Sequence, residues 1–231
     1  MENVLANLSI KISDHLYLKN PESSQLGKNI VSGSIDLIDE IGFENFNFRK
    51  LANSIQSTEA SIYRYFESKQ KVLLYLSSWY WSWLEYRLVF SITNIPTAEE
   101  KLKIAIRLLT EKQAINSTFS HINEQKLHQI VISESLKSYL SRQVDEVNKD
   151  GAFLAYKNLV ERLSNLVLEI NPNFCYPRML ITTVIEGGHI QRHFADHLPR
   201  LTDTIKGEDS IHLFYERIVF NALNQDQKPK K

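Results

Sequence analysis

A stretch of about forty residues, from Ile30 to Lys69, constrains the fold of this chain more than any other part. An apolar helical segment ends at Gly42, a short segment follows Asn47, and a third segment follows Thr58. Glycine commonly ends a helix, whereas Asn and Thr commonly begin one, because their side chains accept hydrogen bonds from the first free amides. The pattern therefore predicts three short helices joined by tight turns.

Helical periodicity also dominates the rest of the 231 residues, in which glycine (7 in the whole chain) and proline (6) are few. We therefore expect an all-α protein with two domains, residues 1–70 and residues 71–231. After the three short helices, further helices are expected at about 69–92, 97–114, 121–131, 133–148, 152–170, 177–197 and 208–224.

Composition excludes several classes of protein. No apolar run reaches the length of a membrane span, and the first residues lack the pattern of a signal peptide, so a cytoplasmic protein is expected. The lone Cys175 excludes an internal disulfide and a cysteine-rich zinc site. The net charge is zero, from 27 basic and 27 acidic residues, which argues against a protein that coats nucleic acid non-specifically.

Three short helices at this spacing are typical of a helix-turn-helix domain that binds duplex DNA, with the third helix in the major groove. Its first turn is expected to hold Thr58, Glu59, Ala60 and Ser61, where small side chains permit close approach and Ala60 suits a thymine methyl group. Ile62 and Phe66 are expected in the core. Phosphate contacts are expected from a further set, namely Lys28, Asn47, Arg49, Tyr63, Arg64 and Lys69, and Arg64 could reach a base instead. The alternative for each cation is an ordinary solvated charge.

These residues resemble the N-terminal domain of tetracycline-repressor-like (TetR-family) transcription regulators. The shared pattern covers about 45 residues and consists of Gly42, Phe43, Asn47, Leu51, Ala52, Tyr63, Phe66 and Lys69. The family usually has Gly-Val-Ser in the turn before the third helix, where this chain has Gln56-Ser57-Thr58, and Gln lacks the freedom of Gly for positive φ. The resemblance implies a homodimer that binds a double-stranded DNA operator, commonly as a repressor, without cofactor or catalytic residues.

The resemblance also implies a small-molecule effector bound in a cavity of the C-terminal domain. The candidates for its lining are aromatic residues and histidines: Trp79, Trp83, Tyr86, Phe90, His121 and His128, with Phe119 beside them. Such a lining suits a flat or apolar molecule. For each residue, the alternative is simple packing in the core.

Two adjacent glycines lie in the middle of the expected helix 177–197, where each costs about 1 kcal/mol relative to Ala. A face of small residues lets another helix approach closely. Together with the apolar stripe of helix 152–170, it predicts a two-fold dimer interface. Its residues would be Leu159, Leu163, Leu166, Val184, Gly187, Gly188, Gln191 and Ala195. The alternative is close packing inside one subunit.

Glu186, His189, His193 and His197 share another face of helix 177–197, with spacing that suits a metal ion. The element occurs once, whereas di-iron bundles use it twice. A metal-binding helical-bundle enzyme is therefore one alternative, and a dimeric sensing protein that does not bind DNA is another. The favoured prediction is a DNA-binding transcription regulator with no metal site.

Overall fold

The computed structural model describes Ile10, residues 12–111 and residues 121–225, and the regular elements within these ranges are all helical. Short 3₁₀ helices cover Asp14–Leu16, Pro21–Ser23 and Pro199–Leu201. Numbered within the described residues, the α-helices are α1 (Gln25–Ile41), α2 (Phe48–Ser54), α3 (Glu59–Tyr63), α4 (Lys69–Ile92), α5 (Ala98–Thr110), α6 (Glu124–Tyr139), α7 (Val144–Lys149), α8 (Leu154–Ile170), α9 (Pro177–His197) and α10 (Ser210–Gln225). The prediction of an all-α protein is confirmed.

Local side-chain chemistry sets several helix ends. The Asn47 side chain accepts a hydrogen bond from the Lys50 amide at 2.9 Å and begins α2. The Thr97 hydroxyl accepts from the Glu100 amide and donates to the Glu100 carboxylate, so this side chain caps the start of α5. Gly42 ends α1 with a φ of 75°, a conformation that costs glycine little.

Two predicted boundaries differ from the structure. The break expected near residue 132 falls instead between Tyr139 and Val144, because buried side chains continue on α6 as far as Glu134. The fifth helix ends at Thr110 rather than near residue 114. The predicted effector residue Phe119 and the polar tail after residue 225 lie outside the described residues.

One compact unit comprises residues 1–83 and 113–156, so it takes in residues on both sides of the boundary expected at residue 70. Helix α1 packs on α2 and α6, and α2 packs on α3. The core of this unit includes Ile30, Ile35, Leu51 and Ile62, all fully buried. The short helices are therefore held by apolar contacts that leave their polar sides exposed.

The second compact unit comprises residues 84–112 and 157–231. Helices α9 and α10 pack against each other and against α5. The Asn171 side chain, after α8, donates to the Leu223 carbonyl at 3.0 Å and ties that turn to α10. Within the described parts of the chain, we find no helix long and apolar enough to cross a membrane.

Candidate DNA-binding surface

The turn between α2 and α3 has a positive φ at Gln56, a conformation that is unfavourable for a residue other than glycine. Gln56 has a φ of 52°, in the left-handed region where a side chain is strained. The Ser57 amide nevertheless donates to the Ala52 carbonyl at 2.8 Å, so the turn closes. The chain therefore forms the turn of a helix-turn-helix without the glycine usual at this position.

Helix α3 begins at Thr58, whose hydroxyl accepts from the Ser61 amide at 3.2 Å and lies 2.9 Å from the Ser61 hydroxyl. Glu59 and Ala60, in its first turn, are exposed. Ile62 is fully buried and anchors the helix from below, as predicted. The first turn of α3 is thus exposed, while Ile62 holds the helix against the core.

The third helix, Glu59–Tyr63, is five residues long, and Tyr65 and Phe66 just after it are both buried. Tyr63 stays half-exposed, and its ring meets the edge of Phe48 at a centroid distance of 4.9 Å. Arg64, which follows it, is exposed.

Other predicted phosphate contacts lie on neighbouring helices. Arg49 is exposed on α2, close in sequence to the Asn47 cap, and Lys28 is half-buried in the first turn of α1. The exposed Lys50 ammonium donates to the Asn45 carbonyl at 2.9 Å. The role of these residues in binding DNA stays a prediction.

The ammonium of Lys69, another predicted phosphate contact, bonds to the chain itself. It donates to the carbonyls of Phe43 and Glu44, both at 3.1 Å, and lies 4.8 Å from the centre of the Phe43 ring. These carbonyls follow the end of α1, where the chain has no further helical amides to satisfy them. The geometry gives Lys69 a structural role in joining α4 to the end of α1.

The predicted effector residues fall into different surroundings. Trp79 and Trp83 are buried and stack at 6.4 Å, and the Tyr80 hydroxyl lies 2.7 Å from Nδ1 of the buried His128. Nε2 of His121 lies 3.0 Å from a carboxylate oxygen of Glu22.

Tyr86 and Phe90 belong to the other compact unit, where they stack at 6.5 Å, and Phe90 is 67% exposed. Sequence reasoning missed Tyr80 as a polar member of the first group. The signal available was the run of aromatic residues from Trp79 to Trp83.

The two glycines predicted for a dimer interface have partners within the chain. A Cβ on Gly187 would overlap the hydroxyl oxygen of Tyr215, and one on Gly188 would lie 3.0 Å from Cγ2 of Thr110. Close packing inside one subunit, the alternative reading, therefore accounts for both positions.

The remaining residues of the predicted dimer interface divide by burial. Leu159, Leu163, Leu166 and Val184 are buried within the chain, where they have no surface to offer a second copy. Gln191 and Ala195 are half-buried. The interface predicted from the helical wheel stays a prediction, and the wheel itself identifies an apolar face but not the neighbour that covers it.

The polar face of α9 is also divided. His189 is buried, and burial lowers its pKa to about 4, whereas His193 and His197 are exposed with ring centroids 4.6 Å apart. Over the residues that the structure describes, no group of three or more His, Cys, Asp or Glu side chains is arranged to hold a metal ion.

Fold and surface together define a helix-turn-helix protein. Its short helix α3 is exposed on one side and packed on an apolar core on the other, in a unit that also includes α6 and α7. Residues 30–76 match the family model described as bacterial regulatory proteins, tetR family. Over this region the chain is similar to the tetR family. A search of curated proteins by sequence finds no match.

Solved structures share the fold at low sequence identity. The fatty acid degradation regulator FadR from Bacillus halodurans is 17% identical, with a TM-score of 0.59, over 87% of this chain and 96% of that chain. The superantigen PfiT is 15% identical, with a TM-score of 0.61, over 88% and 97%. AibR, solved in complex with isovaleryl coenzyme A and operator DNA, is 14% identical, with a TM-score of 0.52, over 82% and 94%.

Proposed function

We propose that this chain is a sequence-specific DNA-binding transcription regulator that acts as a repressor and is released by a small-molecule effector. The observation that carries the proposal is α3, whose first turn exposes Glu59 and Ala60 while the buried Ile62 fixes its orientation. A short helix held in this way can enter a major groove and bring its first turn to base edges. The protein acts by binding and release rather than by catalysis.

Charge pairing explains how a chain with zero net charge can bind a polyanion. Lys126 of α6 lies 2.6 Å from Asp36 and 3.8 Å from Asp39, and Lys137 lies 3.5 Å from Glu44. Half of the six acidic residues between positions 28 and 71 are thus paired with lysines from a later helix. The exposed cations Arg49 and Arg64 are left to face phosphates.

The effector is proposed to bind beside the aromatic group of Trp79, Tyr80 and Trp83, with the hydrogen-bonded pair of Tyr80 and His128 as its polar side. Aromatic walls with a few fixed polar groups favour a ligand that is mainly apolar and carries one or two hydrogen-bonding atoms. AibR shows that one protein of this fold has been solved with a coenzyme A thioester and operator DNA together. The same pairing of ligand and operator is proposed here, with a ligand of unspecified identity.

A homodimer is proposed to form through the last helix. Leu213, Phe214 and Ile218 are exposed apolar residues on α10. Leu213 and Phe214 line a cavity of about 440 Å³, to which Gln191 of α9 also contributes. Neighbouring exposed apolar side chains of this kind mark a site of protein association. A two-fold dimer carries two copies of α3, one for each DNA half-site.

The test is selection of binding sites from a random duplex library by the purified chain. We expect a two-fold symmetric site whose half-sites are about 34–36 Å apart, one turn of the duplex. Arg64→Ala should weaken binding to that site, while Lys206→Ala, which removes an equal charge from an exposed position in the other unit, should not. No enrichment over the starting library would reject the proposed function.

The effector half of the proposal needs a separate measurement. Candidate acyl thioesters and apolar acids are added while the tryptophan emission and the affinity for the selected site are followed together. An effector should change the emission and lower the affinity for DNA, and Tyr80→Phe should weaken its effect. A compound that changes emission without changing the affinity for DNA is not the effector.

A further inference from the structure

The segment before α1, residues 12–24, is folded onto the rest of its unit. Leu16 is fully buried, and Ile12 and Pro21 are also buried. The Leu18 amide donates to the Tyr65 carbonyl at 2.8 Å, directly after the end of α3. A backbone hydrogen bond therefore fixes this segment beside the recognition helix.

A second set of bonds holds the start of the same segment. The Ser13 hydroxyl donates to the Asp150 carbonyl at 2.8 Å. The Lys71 ammonium donates to the His15 carbonyl at 2.9 Å and lies 2.8 Å from the Asp150 carboxylate. Because both ends are anchored within one compact unit, the side chains between them have defined positions.

Lys19 lies in the middle of this segment and is exposed, with its ammonium 5.1 Å from the centre of the Tyr65 ring. Tyr65 immediately follows Arg64. The Ser24 hydroxyl lies 2.7 Å from the Tyr65 hydroxyl, and this hydrogen bond is the main cause that lowers the pKa of Tyr65, with the charges of Lys19 and Arg64 adding to it. An exposed cation therefore lies over the ring of the residue that follows Arg64.

In the part of the chain that the structure describes, three other lysines of this unit are paired with carboxylates, unlike Lys19. Lys71, Lys126 and Lys137 each lie within 4 Å of a carboxylate. In the described residues, no carboxylate forms such a pair with Lys19. A lysine that is held in place, exposed and next to Arg64 is placed for an anion outside the chain.

We propose that Lys19 contacts a phosphate of the DNA backbone, so that residues 12–24 extend the DNA-binding surface beyond the end of α3. The inference rests on the proposed function, because it presupposes that α3 enters a major groove. The partner is the backbone flanking the half-site, and the contact adds affinity without reading sequence.

The experiment measures binding of wild type and Lys19→Ala to the selected site and to a random duplex, at several salt concentrations. Losing one phosphate contact should reduce the slope of log affinity against log salt by about 0.9. Affinity at low salt should fall roughly fivefold, as expected for one charge pair in water. The ratio of affinities for the two duplexes should stay unchanged, and Lys19→Arg should retain the wild-type slope.

Lys206→Ala serves as the control for a simple change of net charge and should leave the slope unchanged. If Lys19→Ala matches wild type in slope and affinity, Lys19 is not a contact and this inference is rejected, while the proposed function stands. A changed ratio between the two duplexes also rejects it, because Lys19 would then act by positioning α3. If wild type selects no duplex at all, the proposed function fails first, and the inference fails with it.

Discussion

Arg192 donates hydrogen bonds from its guanidinium both to the carboxylate of Asp209, at 2.5 and 2.6 Å, and to the carbonyl of Thr110, at 2.5 Å. Thr110 ends α5, Arg192 lies in α9, and Asp209 immediately precedes α10. One partly buried side chain therefore joins three helices of the second unit. The planar fork of arginine permits this arrangement, whereas the single ammonium of lysine does not.

Replacing Arg192 should destabilise the fold. Arg192→Ala removes the bond to the Thr110 carbonyl at the end of α5 and leaves Asp209 without its cation, which should lower the free energy of unfolding by about 2 kcal/mol. Urea denaturation measures the change. Arg192→Lys serves as the matched control and should recover only part of it, because it keeps the charge but not the fork. Equal stability of all three proteins would contradict the structural role.

Adding a methyl group at Gly187 should also destabilise the fold, because the new Cβ would overlap the Tyr215 hydroxyl. Gly187→Ala gains about 1 kcal/mol of helix propensity but should lose more to the overlap, for a net destabilisation of about 1 kcal/mol. The double variant Gly187→Ala, Tyr215→Phe removes the overlapping oxygen and should be more stable than Gly187→Ala alone. Thermal unfolding of the three proteins decides this, and no recovery in the double variant would show that the overlap is not the cause.

Introducing glycine at the turn before α3 should stabilise the protein. Gln56 has a φ of 52°, which costs a side chain about 1–2 kcal/mol. Gln56→Gly relieves that strain but gives the unfolded chain more freedom, so the net gain should be about 0.5–1 kcal/mol. Gln56→Ala keeps the Cβ and should show no such gain. Denaturation curves that place Gln56→Gly at or below wild type would rule out strain at this turn.

Burial of His189 makes stability depend on pH. Its pKa is lowered from 6.5 to about 4 by burial, so only the unfolded chain takes up a proton there between those values. The contribution of the neutral, buried His189 ring to the free energy of unfolding is therefore complete above pH 6.5. It is lost as pH falls towards 4, by up to roughly 3 kcal/mol. His189→Gln should make the free energy of unfolding depend less on pH in that window than it does in wild type. His193→Gln, at an exposed position on the same helix, is the control and should leave the profile unchanged.

The proposed dimer surface can be tested with two exposed phenylalanines. Phe214 is 54% exposed on α10, and Phe90 is 67% exposed near the end of α4. Phe214→Glu should convert the dimer to a monomer in sedimentation velocity, because a charge would be buried in an apolar interface. Phe90→Glu makes the same change at a similarly exposed position and should remain dimeric. If both variants stay dimeric, the interface lies elsewhere.

Local chemistry made much of the fold predictable. The caps at Asn47 and Thr97 and the glycine at position 42 end or begin helices where expected, and α4 and α9 have the predicted bounds, residues 69–92 and 177–197. These features depend on residues within a few positions of one another, so the sequence alone carries the information. The buried side of α3 followed from the same helical spacing.

The sequence is less informative where a side chain's partner is distant along the chain. The contact of Lys69 with phosphate stays a prediction, and its bonds to carbonyls 25 and 26 positions earlier could not be predicted from local pattern. Gly187 packs against Tyr215, a neighbour that no helical wheel can identify. The segment around Lys19 has no periodic pattern, so its place beside Tyr65 depends on tertiary bonds that only the folded chain reveals.

The ion pairs that join α6 to α1 affect how a signal can reach the DNA-binding helices. Lys126 pairs with Asp36 of α1, and Lys137 pairs with Glu44 in the loop that follows α1. His128, on the same helix as these lysines, bonds to Tyr80 within the aromatic group. A molecule that displaced His128 would therefore shift the same helix, α6, whose lysines are paired with α1 and the loop after it.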